Sequence, residues 1–264
     1  MINKTLSILK LILLGIIAIT LVGILILILN IEKVEDYYGP IFEKQTSNIL
    51  SKEEIISSEI TKIYANMKSS DIIVQESNVE EATVKVYGDK KENIQIVTNQ
   101  ETLEIIETKR NQCFGICIGR YIRIVIEIPR EKEYSFDIKT ISGDVDITTN
   151  ISQIDLKTTS GDIYLSQANK VNVETVSGDI EIQEVTEALE IKTTSGDIEI
   201  ASCQITQNSN IQTISGDVDI SRLGDIYVNT KTTTGDVKTP MNNRNATVEL
   251  NIQTVSGDIE TMDD

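Results

Sequence analysis

One five-residue phrase recurs seven times in the second half of the chain. It reads Thr140-Ile-Ser-Gly-Asp144, Thr158-Thr-Ser-Gly-Asp162, Thr175-Val-Ser-Gly-Asp179, Thr193-Thr-Ser-Gly-Asp197, Thr213-Ile-Ser-Gly-Asp217, Thr232-Thr-Thr-Gly-Asp236 and Thr254-Val-Ser-Gly-Asp258. Its glycines, Gly143, Gly161, Gly178, Gly196, Gly216, Gly235 and Gly257, stand 18, 17, 18, 20, 19 and 22 residues apart. A period near this length marks one supersecondary unit stacked on copies of itself, because a single unit cannot bury its own apolar face.

The residues before each glycine alternate. Leu189, Ile191, Thr193 and Ser195 share one parity, with Glu190, Lys192 and Thr194 between them. This is the period of a strand with one buried face. It predicts that the Thr and Ser of the phrase point inward and the residue between them outward. Beyond Gly-Asp the alternation resumes in Val145 and Ile147, Ile163 and Leu165, Ile180 and Ile182, Ile198 and Ile200, and Val218 and Ile220. Its parity has slipped by one, which would flip the faces unless the chain turns there. Each unit therefore reads as strand, Gly-Asp corner, strand and return loop, the loop absorbing the uneven spacing.

Stacking such units gives an all-β fold: a single-stack β-solenoid, or parallel β-helix, with right-handed winding favoured. Inward Thr and Ser would hydrogen-bond in ladders along the stack. Each aspartate would stay exposed and bond at its own corner, since neighbouring carboxylates about 4.8 Å apart repel. An antiparallel sandwich with evenly spaced turns is the rival. It gives no reason for the same residues to recur at the same corner.

The rest of the chain divides around this block. Residues 11–29 are apolar apart from Gly15, Thr20 and Gly23, and that length roughly matches a hydrocarbon core of about 30 Å. No small-residue cleavage site follows, so residues 1–31 read as a cytoplasmic stub and uncleaved transmembrane signal anchor. Lys4 and Lys10 precede the run and Glu32, Glu35 and Asp36 follow it. That asymmetry places the N-terminus in the cytoplasm and the rest outside. Residues 32–59 read as a membrane-proximal spacer, in which Ser51-Lys-Glu-Glu54 fits a capping box that would start a short helix. Residues 60–264 form the solenoid, with degenerate coils over 60–130 and regular coils over 131–264. Ile63, Ala65 and Met67, then Ser70-Asp71, then Ile72 and Val74, repeat the phrase with serine in the glycine position. Ser70 lies 73 positions before Gly143, which suggests four worn coils between them; hairpins packed on the end are the other option.

The net charge of −17 is unevenly placed. Residues 131–264 hold 24 acidic and 9 basic side chains, which argues against nucleic acid as a partner. Cys113 and Cys117 could form a disulfide at a hairpin tip in an oxidising exterior, or stay as two thiols in a loop; Cys203 stands apart.

Phe136-Asp-Ile-Lys-Thr-Ile-Ser-Gly-Asp-Val, which holds the first phrase, and the six phrases that follow resemble the bacterial β-strand-repeat family labelled "putative adhesin". The resemblance spans about residues 60–264 and implies a surface or envelope protein. It implies no catalytic residues.

With no histidine in the chain, the common nucleophile–base pairs are missing. Asp144, Asp162, Asp179, Asp197, Asp217, Asp236 and Asp258 form one row. An active site is a local exception to a repeat, whereas these residues are the repeat. With a second outward row (Asp146, Glu181, Glu199, Asp219, Glu260) they offer oxygen ligands for calcium, the one cofactor this pattern suggests. The middle residue of each phrase, Ile141, Thr159, Val176, Thr194, Ile214, Thr233 and Val255, gives a β-branched stripe. It serves either as ordinary strand surface or as a docking face for a protein or cell-wall polymer. The sequence thus predicts a membrane-anchored, extracytoplasmic, non-enzymatic binding or scaffold module at the cell envelope. The alternatives are a polysaccharide-active β-helix enzyme and a cation-binding or envelope-stress accessory protein.

Overall fold

The structure, a computed structural model, describes residues 49–57, 59–88, 93–108, 122–130, 132–240 and 245–263. The apolar run 11–29, most of the expected spacer, and Cys113 and Cys117 lie outside the described residues. Within them the chain forms eighteen strands and is all-β. The first eight are β1 (Leu50–Ile56), β2 (Lys62–Asn66), β3 (Asp71–Ser77), β4 (Ala82–Tyr87), β5 (Ile94–Asn99), β6 (Thr102–Glu107), β7 (Arg123–Pro129) and β8 (Tyr134–Lys139). The next five are β9 (Val145–Lys157), β10 (Ile163–Glu174), β11 (Ile180–Lys192), β12 (Ile198–Ile200) and β13 (Ser209–Gln212). The last five are β14 (Val218–Leu223), β15 (Tyr227–Lys231), β16 (Val237–Lys238), β17 (Glu249–Gln253) and β18 (Ile259–Asp263).

The repeats stack in parallel, each position over its equivalent. Val145, Ile163, Ile180, Ile198, Val218 and Ile259 make one buried row. Ile138, Leu156, Val173, Ile191, Ile211 and Ile252 make another. The core is thus built from lines of Ile, Val and Leu, each worth about 1.5–3 kcal/mol of burial. Large rings are not needed, which fits the low aromatic content.

The segments expected as return loops are strand in the first coils. β9, β10 and β11 run unbroken from one corner to the next and bend midway, where the register shifts. In later coils the return breaks into separate strands, between β12 and β13, where Cys203 still bridges Val185 and Leu223, and between β14 and β15. The threonines of the phrase are buried at Thr140, Thr158, Thr175, Thr193, Thr213 and Thr254, as the alternation requires. The serines are not: Ser160 and Ser177 are half-buried, and Ser195, Ser215 and Ser256 are exposed. The chain begins to turn at threonine, two residues earlier than the pattern suggested. The hydroxyls form no continuous ladder along the stack, although Ser142, Ser160 and Thr232 donate to backbone carbonyls of a neighbouring coil. Thr158, Thr175 and Thr193 donate to the carbonyl of the serine two residues on, at 3.0, 3.1 and 3.2 Å.

The order of the coils departs from the order of the sequence at both ends. β18 pairs with β14 on one side and β16 on the other, and β17 lies between β13 and β15. The last coil in sequence is therefore the penultimate coil in space. At the other end β2 lies between β6 and β8, and β3 between β7 and β9. The Ser70 corner thus rests directly against Gly143. Its 73-residue separation is one coil step, not four. The intervening chain supplies one worn coil, β6 and β7, with β4 and β5 added antiparallel. Ser51–Glu54, expected to start a helix within a spacer, lies in β1, which pairs antiparallel with β4. A capping box is a local signal, and strand pairing overrides it.

Candidate binding surface

Each corner is fixed by close approach. Gly178 has φ 124°, a conformation that L side chains avoid, and a Cβ there would collide with the carbonyl of Gly161 in the coil below. Gly196 repeats this against Gly178. The aspartates then link coil to coil. The backbone N–H of Asp162 donates to Asp144 Oδ1 at 3.1 Å, Asp179 to Asp162 at 3.0 Å, Asp197 to Asp179 at 2.9 Å and Asp217 to Asp197 at 2.8 Å. Asp258 donates to Asp217 and Asp236 to Asp258, both at 2.7 Å. Asp144 donates to Asp71 at 3.1 Å. The carboxylates of Asp71, Asp144, Asp162, Asp179, Asp197, Asp217 and Asp258 therefore each bond the next coil, where a bond at the same corner was expected. A charge-assisted bond per step offsets the repulsion along the row.

The sequence-predicted acidic rows are both present. Asp144 through Asp258 follow the corner edge. Asp146, Glu181, Glu199, Asp219 and Glu260 share one register row, into which Tyr164 and Lys238 also fall. Burial between Ile73 and Tyr164 pushes the Asp146 carboxyl above its usual range. Among the described residues no group of three or more His, Cys, Asp or Glu side chains converges to hold a metal.

The β-branched row is exposed along its whole length. Ile141 is 40% accessible, Val176 51%, Ile214 54% and Val255 50%, and Thr159, Thr194 and Thr233 are exposed between them. Beside it runs a row that sequence reasoning missed. The residue before each phrase threonine is, in spatial order, Lys139, Lys157, Glu174, Lys192, Gln212, Gln253 and Lys231. The signal was available as the position preceding each Thr, but the period-2 pattern marks it only as outward. Two shallow depressions of about 420 Å³ each lie between the rows and share Lys192 and Thr193. Together they make a trough along the stack. Lys157 meets Glu174 at 2.8 Å and Lys192 meets Glu190 at 2.8 Å. The Lys157 hydrogen bond holds the Glu174 carboxyl below its usual range, and the Glu190 hydrogen bond raises Lys192.

The lone described cysteine, Cys203, is fully buried in the core, and burial pushes its thiol up to about 12.

The Toastrack DUF4097 family matches residues 60–262, most of the chain. The chain belongs to that family. Among solved structures, a "putative adhesin" from Bacteroides fragilis is 19% identical, with 82% of this chain and 98% of that chain aligned and a TM-score of 0.53. A "putative cell adhesion protein" from Clostridium sporogenes is 14% identical over 81% of this chain and 99% of that one, with a TM-score of 0.38. A "putative lipid binding protein" from Parabacteroides distasonis is 16% identical over 82% and 98%, with a TM-score of 0.47. No curated protein matches the sequence significantly. At these identities the likeness concerns the fold alone. What distinguishes this Toastrack chain must be read from its own surface rows.

Proposed function

We propose that this Toastrack protein is a membrane-anchored, extracytoplasmic binding or scaffold module at the cell envelope and not an enzyme. The observation that carries the reading is the stripe from Ile141 to Thr233. It places one β-branched side chain per coil on the surface, about 4.8 Å from the next, over seven coils. Surface of this regularity suits an extended partner that meets the same contact at each step. The carboxylates of the two surface rows repeat in the same way, so neither row marks a local acid–base centre. Anchoring rests on the apolar run 11–29 and on Lys4 and Lys10 before it.

The test uses the full chain in neutral detergent and isolated cell walls. Replacing Ile141, Val176, Ile214 and Val255 with serine removes apolar surface without touching the core. Wall binding should fall about tenfold, the loss expected from shedding about 1.4 kcal/mol of contact, while the melting temperature holds. Undiminished binding by this variant overturns the docking face. Release of soluble saccharides from the walls by the wild-type chain overturns the non-enzymatic assignment.

A further inference from the structure

Residues 131–264 contain nine lysines and arginines among 24 acids. Four of the nine, Lys139, Lys157, Lys192 and Lys231, fall on the single row beside the stripe, with one glutamate, Glu174, among them. The flanking rows, one beyond the stripe and one directly behind the lysines, are acidic or amide. The corner row is wholly aspartate. The row two residues before the lysines reads Asp137, Asp155, Asn172, Glu190, Asn210, Asn251 and Asn229. The trough is therefore a cationic line between acidic banks on a strongly acidic body.

We propose that this trough seats one extended chain of a linear polyanion, a phosphodiester polymer, running along the stack. The proposal rests on the stripe being a docking face and names what docks there. From Lys139 to Lys231 there are six coil steps, about 29 Å at the usual strand spacing, long enough for several charged repeats. Gln212 and Gln253 fill the two steps between Lys192 and Lys231 with neutral amide donors. The exposed hydroxyls of Thr159, Thr194 and Thr233 can donate to phosphate oxygens, and the methyl groups of Val176 and Ile214 face the polymer backbone. The Lys157–Glu174 and Lys192–Glu190 pairs are solvent-exposed, so exchanging a carboxylate for a phosphate gives up little. The acidic banks exclude wide polyanions such as a duplex. Tyr64 stands at one end of the row behind the lysines, its ring 5.6 Å from Lys139 Nζ, and Tyr164 lies beyond the corner, so among the described residues no ring repeats along the trough for a neutral sugar chain to stack on.

The probe is poly(glycerol phosphate), titrated into the full chain in neutral detergent. The wild type should bind, and affinity should fall about tenfold or more as ionic strength rises and screens the charges. Replacing Lys139, Lys157, Lys192 and Lys231 with glutamine should abolish binding. Replacing Lys132, Lys170 and Lys238, which lie off the row, should leave it intact. No binding by the wild type overturns the proposal. So does equal loss in the two lysine variants, or tighter binding to neutral dextran or to mixed micelles of the detergent with anionic lipid than to the polymer. If the serine variant of the stripe loses wall binding and the row variant keeps it, the docking face stands and the polyanion assignment fails.

Discussion

The corner at Ser70 and the corner at Gly178 occupy equivalent positions and are held in different ways. At Gly178 the neighbouring coils do all the work. The Gly161 carbonyl lies against its α-carbon, and the Asp162 carboxylate accepts from Asp179 N–H. Ser70 has no Gly-Asp corner described beneath it. Instead one buried side chain from β6, Glu107, accepts from the backbone N–H groups of Lys68, Ser69 and Ser70 at 2.7, 2.9 and 3.2 Å. It also accepts from the Ser69 and Ser70 hydroxyls at 3.2 and 3.0 Å. The repeat satisfies its polar groups by translation, and the end of the repeat needs a dedicated acceptor.

The two ends should therefore break differently. The largest effect comes from the intercalated last coil. Deleting residues 247–264 removes an inner layer, including fully buried Leu250, Ile252 and Ile259. It leaves β15 and β16 without the strands they pair with. The loss should exceed about 5 kcal/mol, and residues 225–246 should become open to protease. Deleting everything after Leu223 removes more chain but ends on a complete coil. It should melt at a higher temperature than the shorter deletion; the reverse order would contradict the observed stacking.

Next comes Gly178→Ala, where both φ and space are wrong. It should cost about 3 kcal/mol or more by denaturant titration. Ser70→Gly should cost about 1 kcal/mol or less beyond its lost hydroxyl bond, because that corner never required glycine. Equal penalties would erase the contrast between the corners. Glu107→Ala leaves three N–H groups, that of Ser70 fully buried, without their acceptor and should cost about 3 kcal/mol. Asp197→Ala, on the exposed row, should lower the melting temperature by less.

The smallest effect is at Asp146. Its carboxyl titrates above the ordinary value of 3.8 because burial penalises its charge. Its ionisation therefore opposes folding, and stability present at low pH is lost as pH rises through the raised value. Asp146→Asn should be slightly more stable than wild type at neutral pH, and the gap should close below the ordinary carboxylate range. A gap that persists in acid would assign the effect to shape rather than charge.

The sequence made the unit legible but not its neighbours. Thr158, Thr175 and Thr193 point inward, Val176 and Ile214 point outward, and the aspartates align, because all of this follows from alternation within one strand. The bond from each aspartate to the next coil was hidden, since it joins residues 17 or more positions apart. The order of coils was hidden for a stronger reason. Every coil presents the same register and the same β-branched rows, so β17 and β18 match β13 and β14 as well as β15 and β16 would. Side-chain pattern cannot rank stackings that are equivalent in pattern. The lysine row escaped notice because each lysine alone is an ordinary outward residue. Only the pairing of Lys157 with Glu174 and of Glu174 with Lys192 shows them as a line.

Threading the first and last coils inward also sets when the fold can be finished. A chain that emerges from the ribosome N-terminus first can lay down β8 to β14 as it grows. The next coil must then wait, because its seat is on strands not yet synthesised. Closure at that end waits on β17 and β18, and a chain lacking them carries an unpaired edge that proteases can attack.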